Sequence, residues 1–290
     1  MNPDLIDAMF VMHGVRGPWA PLRATGVANR IYATADIVLR VATDHPDAVA
    51  DARTESVAAP VARAAGIPTP RLIAFDDSRT LVDRPFSLWE RVNGETFGLL
   101  ELDPPRMAAT WREVGRELSR LHHRVSQCPD PAGYLDMPGR PLDLDSLLKR
   151  LTDADRVDAA AEEQIARLIS ELAPHVTPVI DLRFIHDDID AMNIMCSPDG
   201  ALLAIIDWGD AGWGDPTLDF AAIPLDSIPD AVEGYETETP GALGELPEAR
   251  FIWDKLHYAM EESLDNGGPL PPVDPLYRYL RSKVGYLHRR

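Results

Sequence analysis

A chain of 290 residues, 45% hydrophobic and 26% charged, has ample material for one large or two modest folded units and is not a disordered polymer. Its formal net charge of −19 at pH 7 repels phosphate backbones. That argues against a nucleic-acid partner and is compatible with a cationic one, although acidic surfaces also serve solvation alone. Two cysteines give no disulfide framework, and no apolar run approaches the length of a membrane span. The acidic start MNPDLIDAMFVMHG lacks the basic beginning of a secretory leader, so a cytoplasmic location is expected.

Taken in order, the chain opens with a short helix, Asp4–Met12, closed by Gly14 and by Gly17-Pro18. Leu22–Thr25, Arg30–Thr34 and Ile37–Ala42 then read as an antiparallel meander. Its first turn, Gly26 to Asn29, could lie close to a ligand such as phosphate, or be an ordinary turn. Arg40 interrupts an aliphatic strand and faces either solvent or a cleft; alternation alone leaves both open. Pro46–Ala65 reads as a helix stopped by Gly66 and Pro68, with Glu55 in its middle, where it either pairs with Arg40 or sits on the surface. Strands Arg71–Phe75 and Pro85–Val92 follow, and Asn93-Gly94 ends the second.

Beyond Gly94 helices dominate. Arg106–Arg124 carries Met107, Trp111, Val114, Leu118 and Leu121 on one stripe, and its terminal His122 and His123 suit the helix dipole as structural residues. Leu144–Leu151, Ala159–Leu172 and Phe251–Leu264 are further helices, whereas the Pro- and acid-rich stretch Ser227–Pro247 reads as an irregular loop. The expected architecture is α+β in two lobes, residues 1–93 and 94–290, with a cleft between them.

The stretch from Phe184 to Phe220 concentrates the chemistry. Met192–Cys196 and Ala201–Ile206 flank Ser197-Pro198-Asp199-Gly200 and form a hairpin. Its outer ends bring Asn193 opposite Asp207, with Asp188 nearby. Two oxygen donors beside a third carboxylate suit a hard cation and a proton acceptor. His186-x-Asp188-x-x-x-x-Asn193, followed by Asp207-Trp208-Gly209, matches the phosphoryl-transfer pattern H-x-D-x-x-x-x-N … D-F-G with Trp for Phe. In this pattern Asp188 accepts a hydroxyl proton, and Asn193 with Asp207 binds Mg²⁺. His186 lies too near these carboxylates to be an obvious base and is expected to fix the loop by bonding backbone.

On these residues the chain resembles the aminoglycoside phosphotransferase family, small-molecule kinases of protein-kinase-like fold. Its H-G-D-x-x-x-x-N stands here as His186-Asp187-Asp188…Asn193, its I-D-W/F as Ile206-Asp207-Trp208, and its G-D-P-x-x-D as Gly214-Asp215-Pro216-Thr217-Leu218-Asp219. Val38–Val41 resembles the strand bearing the phosphate-contacting cation, Glu55 the helix glutamate, and Trp89–Gly94 the interlobe hinge. The resemblance spans about residues 22 to 221. Asp187 replaces the usual Gly, Arg40 stands where many kinases carry Lys, and no G-x-G-x-x-G is present.

The resemblance implies a bilobal fold with ATP or GTP under the Gly26–Asn29 turn and its base near the hinge from Glu90 to Val92. It implies Arg40 on the phosphates, held by Glu55, with Asp215 and Asp219 in structural roles. The implied reaction is phosphoryl transfer to a small hydroxyl-bearing molecule. Carboxylates such as Asp254, Glu261 and Glu262 beside Trp253 and Tyr258 suit a cationic antibiotic acceptor and hence resistance. A metabolite kinase of the same fold and a non-catalytic nucleotide-binding protein are the alternatives.

Overall fold

The computed structural model describes residues 1–22, 26–135, 143–176, 181–267, 270, 272–276, 278, 279 and 282. It begins with helix α1 (Pro3–Met12), where Asn2 caps the Asp4 N–H and Pro3 takes the first turn. Strands β1 (Ala20–Leu22), β2 (Asn29–Ala33), β3 (Ile37–Ala42), β4 (Leu72–Asp76) and β5 (Phe86–Glu90) form one antiparallel sheet in the order β1-β2-β3-β5-β4. Helix α2 (Ala48–Ala64) is inserted between β3 and β4. Of the expected strand Leu22–Thr25, the residues after Leu22 lie outside the described residues, and Asn29 belongs to β2 instead of its preceding turn.

Strand alternation settles which way Arg40 faces. Leu39 and Val41 are fully buried with Phe86 and Leu88 under Ile6, Met9 and Phe10 of α1. Arg40 therefore lies on the opposite face, which α1 does not cover. Its register partner on β5 is Ser87, while Ile37 pairs with Glu90 at the end of the ladder.

The remainder comprises α3 (Pro104–Arg124), α4 (Leu144–Asp153), α5 (Ala159–Leu172), α6 (Ile228–Glu238) and α7 (Pro247–Asn266), with short strands β6 (Glu95–Thr96), β7 (Arg183–Ile185), β8 (Ile194–Cys196), β9 (Leu202–Ile205) and β10 (Gly212–Gly214). The helix α6 corrects the expected loop over 227–247. Pro229, the acids and Gly234 read as loop signals, yet proline is tolerated in a first helical turn, and Ile228, Ala231, Gly234 and Tyr235 make a buried face. That face meets α3 closely: a Cβ on Gly115 would lie 1.9 Å from the Ala231 carbonyl, and one on Gly234 equally near that of Arg112. Tertiary contact overrides weak local propensity here.

One core joins α2 (Ala58, Ala59, Ala62), α3 (Trp111, Val114, Leu118, Leu121), the hairpin region (Ile194, Ile205, Trp208) and α6. A second gathers α4, α5 and the Ile252, Leu256 and Met260 stripe of α7.

Candidate active site

The hairpin registers as the sequence leads one to expect. Ile194 pairs with Ile205, and the Ile206 N–H donates to the Asn193 carbonyl at 2.9 Å, which sets Asn193 and Asp207 at adjoining ends. Gly200, at φ 90°, closes the turn; a side chain there would be strained and would meet Leu102. The Asn193 amide nitrogen donates to Asp188 Oδ2 at 2.7 Å and to its carbonyl at 2.9 Å. That leaves Asn193 Oδ1 as its free donor atom. Burial pushes the Asp188 carboxyl up, joined by repulsion from Asp190 and Asp207, against the pull of His186 and Asn193.

His186 holds this loop rather than acting on it. Its buried ring donates from Nε2 to the Ile206 carbonyl at 3.0 Å and lies with Nδ1 3.3 Å from the Asp188 N–H. The Trp208 ring lies 4.5 Å away, with its own N–H on the Ile205 carbonyl. From below, fully buried Asp219 accepts the backbone N–H groups of His186 and Asp187, at 3.0 and 2.6 Å, and bonds His122 at 2.8 Å. His122 continues to the Tyr235 hydroxyl at 3.0 Å. The expected structural roles of His122 and Asp219 are thus one network. Asp215 anchors elsewhere, accepting the Thr217 N–H at 2.9 Å and facing Arg250 at 3.3 Å.

Asp187 adopts φ 67°, a conformation that favours glycine and disfavours L side chains. This gives a physical reason for a Gly at that position in the motif. The residue keeps an exposed surface, yet desolvation of its carboxyl and the carboxylates of Asp219, Asp210, Asp254 and Asp188 push it up to about 8. Water screens part of that repulsion.

Arg40 is the hub of the other half of the site. One terminal nitrogen reaches Glu55 at 2.6 Å and the other reaches Asp207 at 2.7 Å. Glu55 is 4% exposed, so the surface alternative is excluded. Burial pushes Glu55 up, to about 7, with Arg40 pulling against it, while the two carboxylates raise Arg40 further despite its own burial. The guanidinium keeps its proton at any relevant pH. Asp207, also at positive φ, is held below the usual carboxylate range, first by Arg40.

The other expected contacts flank this hub. The turn holding Gly26 is tied back by Thr43, which bonds the Val27 and Ala28 carbonyls at 2.8 Å each. Gly26 itself needs no glycine: it has no left-handed φ, and a Cβ would meet nothing. Glu90 ends β5 with its carboxylate turned to the Arg71 N–H at 3.3 Å and to Arg63 at 3.4 Å. Val92 follows directly, where the chain passes toward β6.

A family model described as the phosphotransferase enzyme family matches residues 20–255. The chain belongs to that family. The phosphotransferase is an enzyme of the small-molecule kinase class, as its motifs led one to expect. No curated protein sequence matches it. Among solved structures, the GDP complex of a wild-type aminoglycoside 2'-phosphotransferase-IIIa aligns with TM-score 0.68 at 16% identity, covering 98% of this chain and 100% of that one. A spectinomycin phosphotransferase in complex with ADP and spectinomycin aligns at 0.63 and 14%, covering 96% and 93%. A choline/ethanolamine kinase family protein from Mesorhizobium loti aligns at 0.59 and 19%, covering 98% and 94%. At these identities the likeness concerns the fold: an antiparallel sheet region followed by a mainly helical one.

The donor set of the phosphotransferase fits a cation of the Mg²⁺ kind. Asn193 Oδ1 and the second oxygen of half-exposed Asp207 are hard oxygen donors. Among the described residues no three His, Cys, Asp or Glu side chains cluster to hold a metal unaided. A cation here would complete its shell with phosphate and water, as Mg²⁺ usually does. Two features escaped sequence reading. Arg40 reaches Asp207 directly, and Gly209 admits α2 so closely that a Cβ would lie 2.8 Å from that of Asp51. The glycine after Asp207-Trp208 was the available signal for the second; nothing local signals the first.

Proposed function

We propose that this enzyme transfers the γ-phosphate of ATP or GTP, with Mg²⁺, to a hydroxyl of a small cationic acceptor of the antibiotic type, conferring resistance from the cytoplasm. The observation that carries the reading is the Arg40 fork between Glu55 and Asp207, set beside the Asp188–Asn193 contact. Family membership and the nucleotides bound in similar folds support it.

On this reading residues 1–93 form the nucleotide lobe and 94–290 the lobe with the catalytic loop and acceptor site. The base stacks near the hinge between Glu90 and Val92, the Gly26–Asn29 turn covers the phosphates, and Arg40 contacts them. Asn193 and Asp207 would hold the Mg²⁺, which would offset the charge developing on the transferred phosphoryl group. Asp188 orients the acceptor hydroxyl and takes its proton; its raised affinity for protons suits that task. His186 and Asp219 hold the loop that presents it.

The cationic acceptor is argued from charge. Among the described residues Asp187 and Asp188 form no ion pair, and Tyr258 on α7 has its hydroxyl pushed up by burial and by Asp188, Glu262, Asp190 and Asp210. Those residues therefore share a neighbourhood, with an aromatic surface beside carboxylates. The similarity to the choline/ethanolamine kinase family protein favours one second reading, a metabolite kinase acting on an amino alcohol. Purified enzyme offered Mg·ATP or Mg·GTP with aminoglycosides, basic peptides and amino alcohols separates the two. Turnover of an antibiotic, together with raised resistance of an expressing host, supports the first. Turnover confined to a metabolite replaces it with the second.

A further inference from the structure

The helix that carries Glu55 is fastened by a segment the reaction does not use. Thr54, 5% exposed, donates from its hydroxyl to the Tyr134 carbonyl at 2.8 Å. The neighbouring Arg53 guanidinium lies 5.7 Å over the Tyr134 ring while also binding Asp77 at 2.6 Å. One turn further along α2, the Val57 carbonyl takes a weak bond from Cys128 Sγ at 3.7 Å. The segment making these contacts is itself folded: Asp130 accepts the Leu135 N–H at 2.8 Å, and Leu135 is buried in the same core as Ala58, Ala59 and Ala62. One turn earlier, at Asp51, α2 packs against Gly209, next to Asp207 and Trp208.

We propose that residues 128–135 are a positioning strap. They lock α2 to the helical part of the protein, through Thr54 and Arg53, so that Glu55 stands ready for Arg40 before nucleotide arrives. The inference rests on the phosphoryl-transfer reading above. Its physical basis is that Glu55 is useful only at a fixed depth. Carboxylate and guanidinium meet at 2.6 Å within a buried site, where a shift of the helix by a fraction of a turn would leave the Glu55 carboxylate unpaired at high cost while Arg40 keeps Asp207. Arg40 on β3 and Glu55 on α2 pair within residues 1–93, and the Thr54 bond to the Tyr134 carbonyl ties that pair to the helical part. Thr54 is a positioning residue, touching neither nucleotide nor acceptor.

The test uses Thr54→Val, which keeps the shape and loses the hydroxyl, beside Thr54→Ser, which keeps the hydroxyl. Mg·ATP and Mg·GTP affinities are measured by calorimetry, amide exchange over residues 48–64 by mass spectrometry, and kcat and KM where an acceptor is found. Thr54→Val is expected to weaken nucleotide binding about five- to tenfold, the scale of one hydrogen bond. It should speed exchange in α2 and leave the KM for acceptor unchanged, while Thr54→Ser stays near wild type. In a Glu55→Gln background the same change should add less than about twofold, because coupled residues are not additive. Tyr134→Ala, outside α2, keeps the carbonyl that Thr54 binds but loses the ring under Arg53, and should speed α2 exchange to a smaller extent. Equal loss with and without Glu55, or a lowered melting temperature with nucleotide affinity and α2 exchange unmoved, overturns the strap. If wild type binds nucleotide but phosphorylates nothing, the functional reading fails while these two readouts still judge the strap. If wild type binds no nucleotide, both fall.

Discussion

The two flanks of the site handle negative charge in opposite ways. On the sheet side Glu55 and Asp207 share the Arg40 guanidinium, and Asp207 stays readily ionised. On the side facing α7, Asp187 and Asp188 have no ion pair among the described residues, and burial with repulsion from neighbouring carboxylates raises both. Asp254 of α7, buried and bonded by Thr217 at 3.3 Å, is likewise pushed up to about 8, mostly by burial and by Asp215. On the first flank one guanidinium partly offsets two carboxylates and leaves a single negative charge for a bound cation to offset. The second carries surplus acid that a cationic ligand would compensate. On the proposed reading that difference separates the nucleotide side from the acceptor side.

Substitutions can break this contrast or sharpen it. The largest effect is expected from Asp188→Asn, which should lower kcat by about a thousandfold, the scale of a lost general base. Steady-state transfer assays check it, and a loss below tenfold would move the proton acceptor elsewhere. Next, Arg40→Lys supplies a charge without the fork and cannot hold Glu55 and Asp207 together. It should cut kcat/KM for nucleotide roughly tenfold to a hundredfold. An unchanged value would show that one contact suffices.

Asp219→Asn tests the floor beneath the acceptor side. It removes one acceptor facing two backbone N–H groups and His122, and should cost about 2–3 kcal/mol in urea unfolding. The smallest effect is expected from Asp187→Gly. Asp187 and Asp254 are both raised to about 8, so between about pH 4 and that value the folded protein holds protons that the unfolded chain has released. Stability should therefore fall as pH rises through this window. Asp187→Gly removes one such group and relieves its left-handed backbone, for a gain of about 0.5–1 kcal/mol. Melting curves should show a larger gain near pH 8 than near pH 5; equal gains would limit the effect to backbone strain.

What was legible in the sequence follows interaction range. The hairpin around Pro198-Asp199-Gly200 is local, so its strands and the Asn193–Asp207 juxtaposition could be read from turn chemistry and alternation. α3 was legible because its apolar residues recur at helical spacing, whereas the caps Asp103 and Asp158 of α3 and α5 are seen only in the structure. Arg40 was ambiguous: only α1 packing under Leu39 and Val41 decides which face meets the cleft. α6 was missed because its reason to be helical lies in α3, where Gly115 and Gly234 let two backbones approach. Asp187 could be noticed as a departure from a motif, but its positive φ and its ring of carboxylates are tertiary facts. The Thr54–Tyr134 contact spans eighty positions and leaves no local trace.

The central claim, that binding resides on the Arg40 flank and chemistry on the Asp188 flank, is tested most directly by calorimetry of Mg·ATP and Mg·GTP binding to Asp188→Asn. The expected affinity is within about twofold of wild type in a protein that no longer transfers phosphate, since only an interaction of the transition state has been removed. An affinity that falls as far as the rate would place Asp188 on the nucleotide side and contradict it.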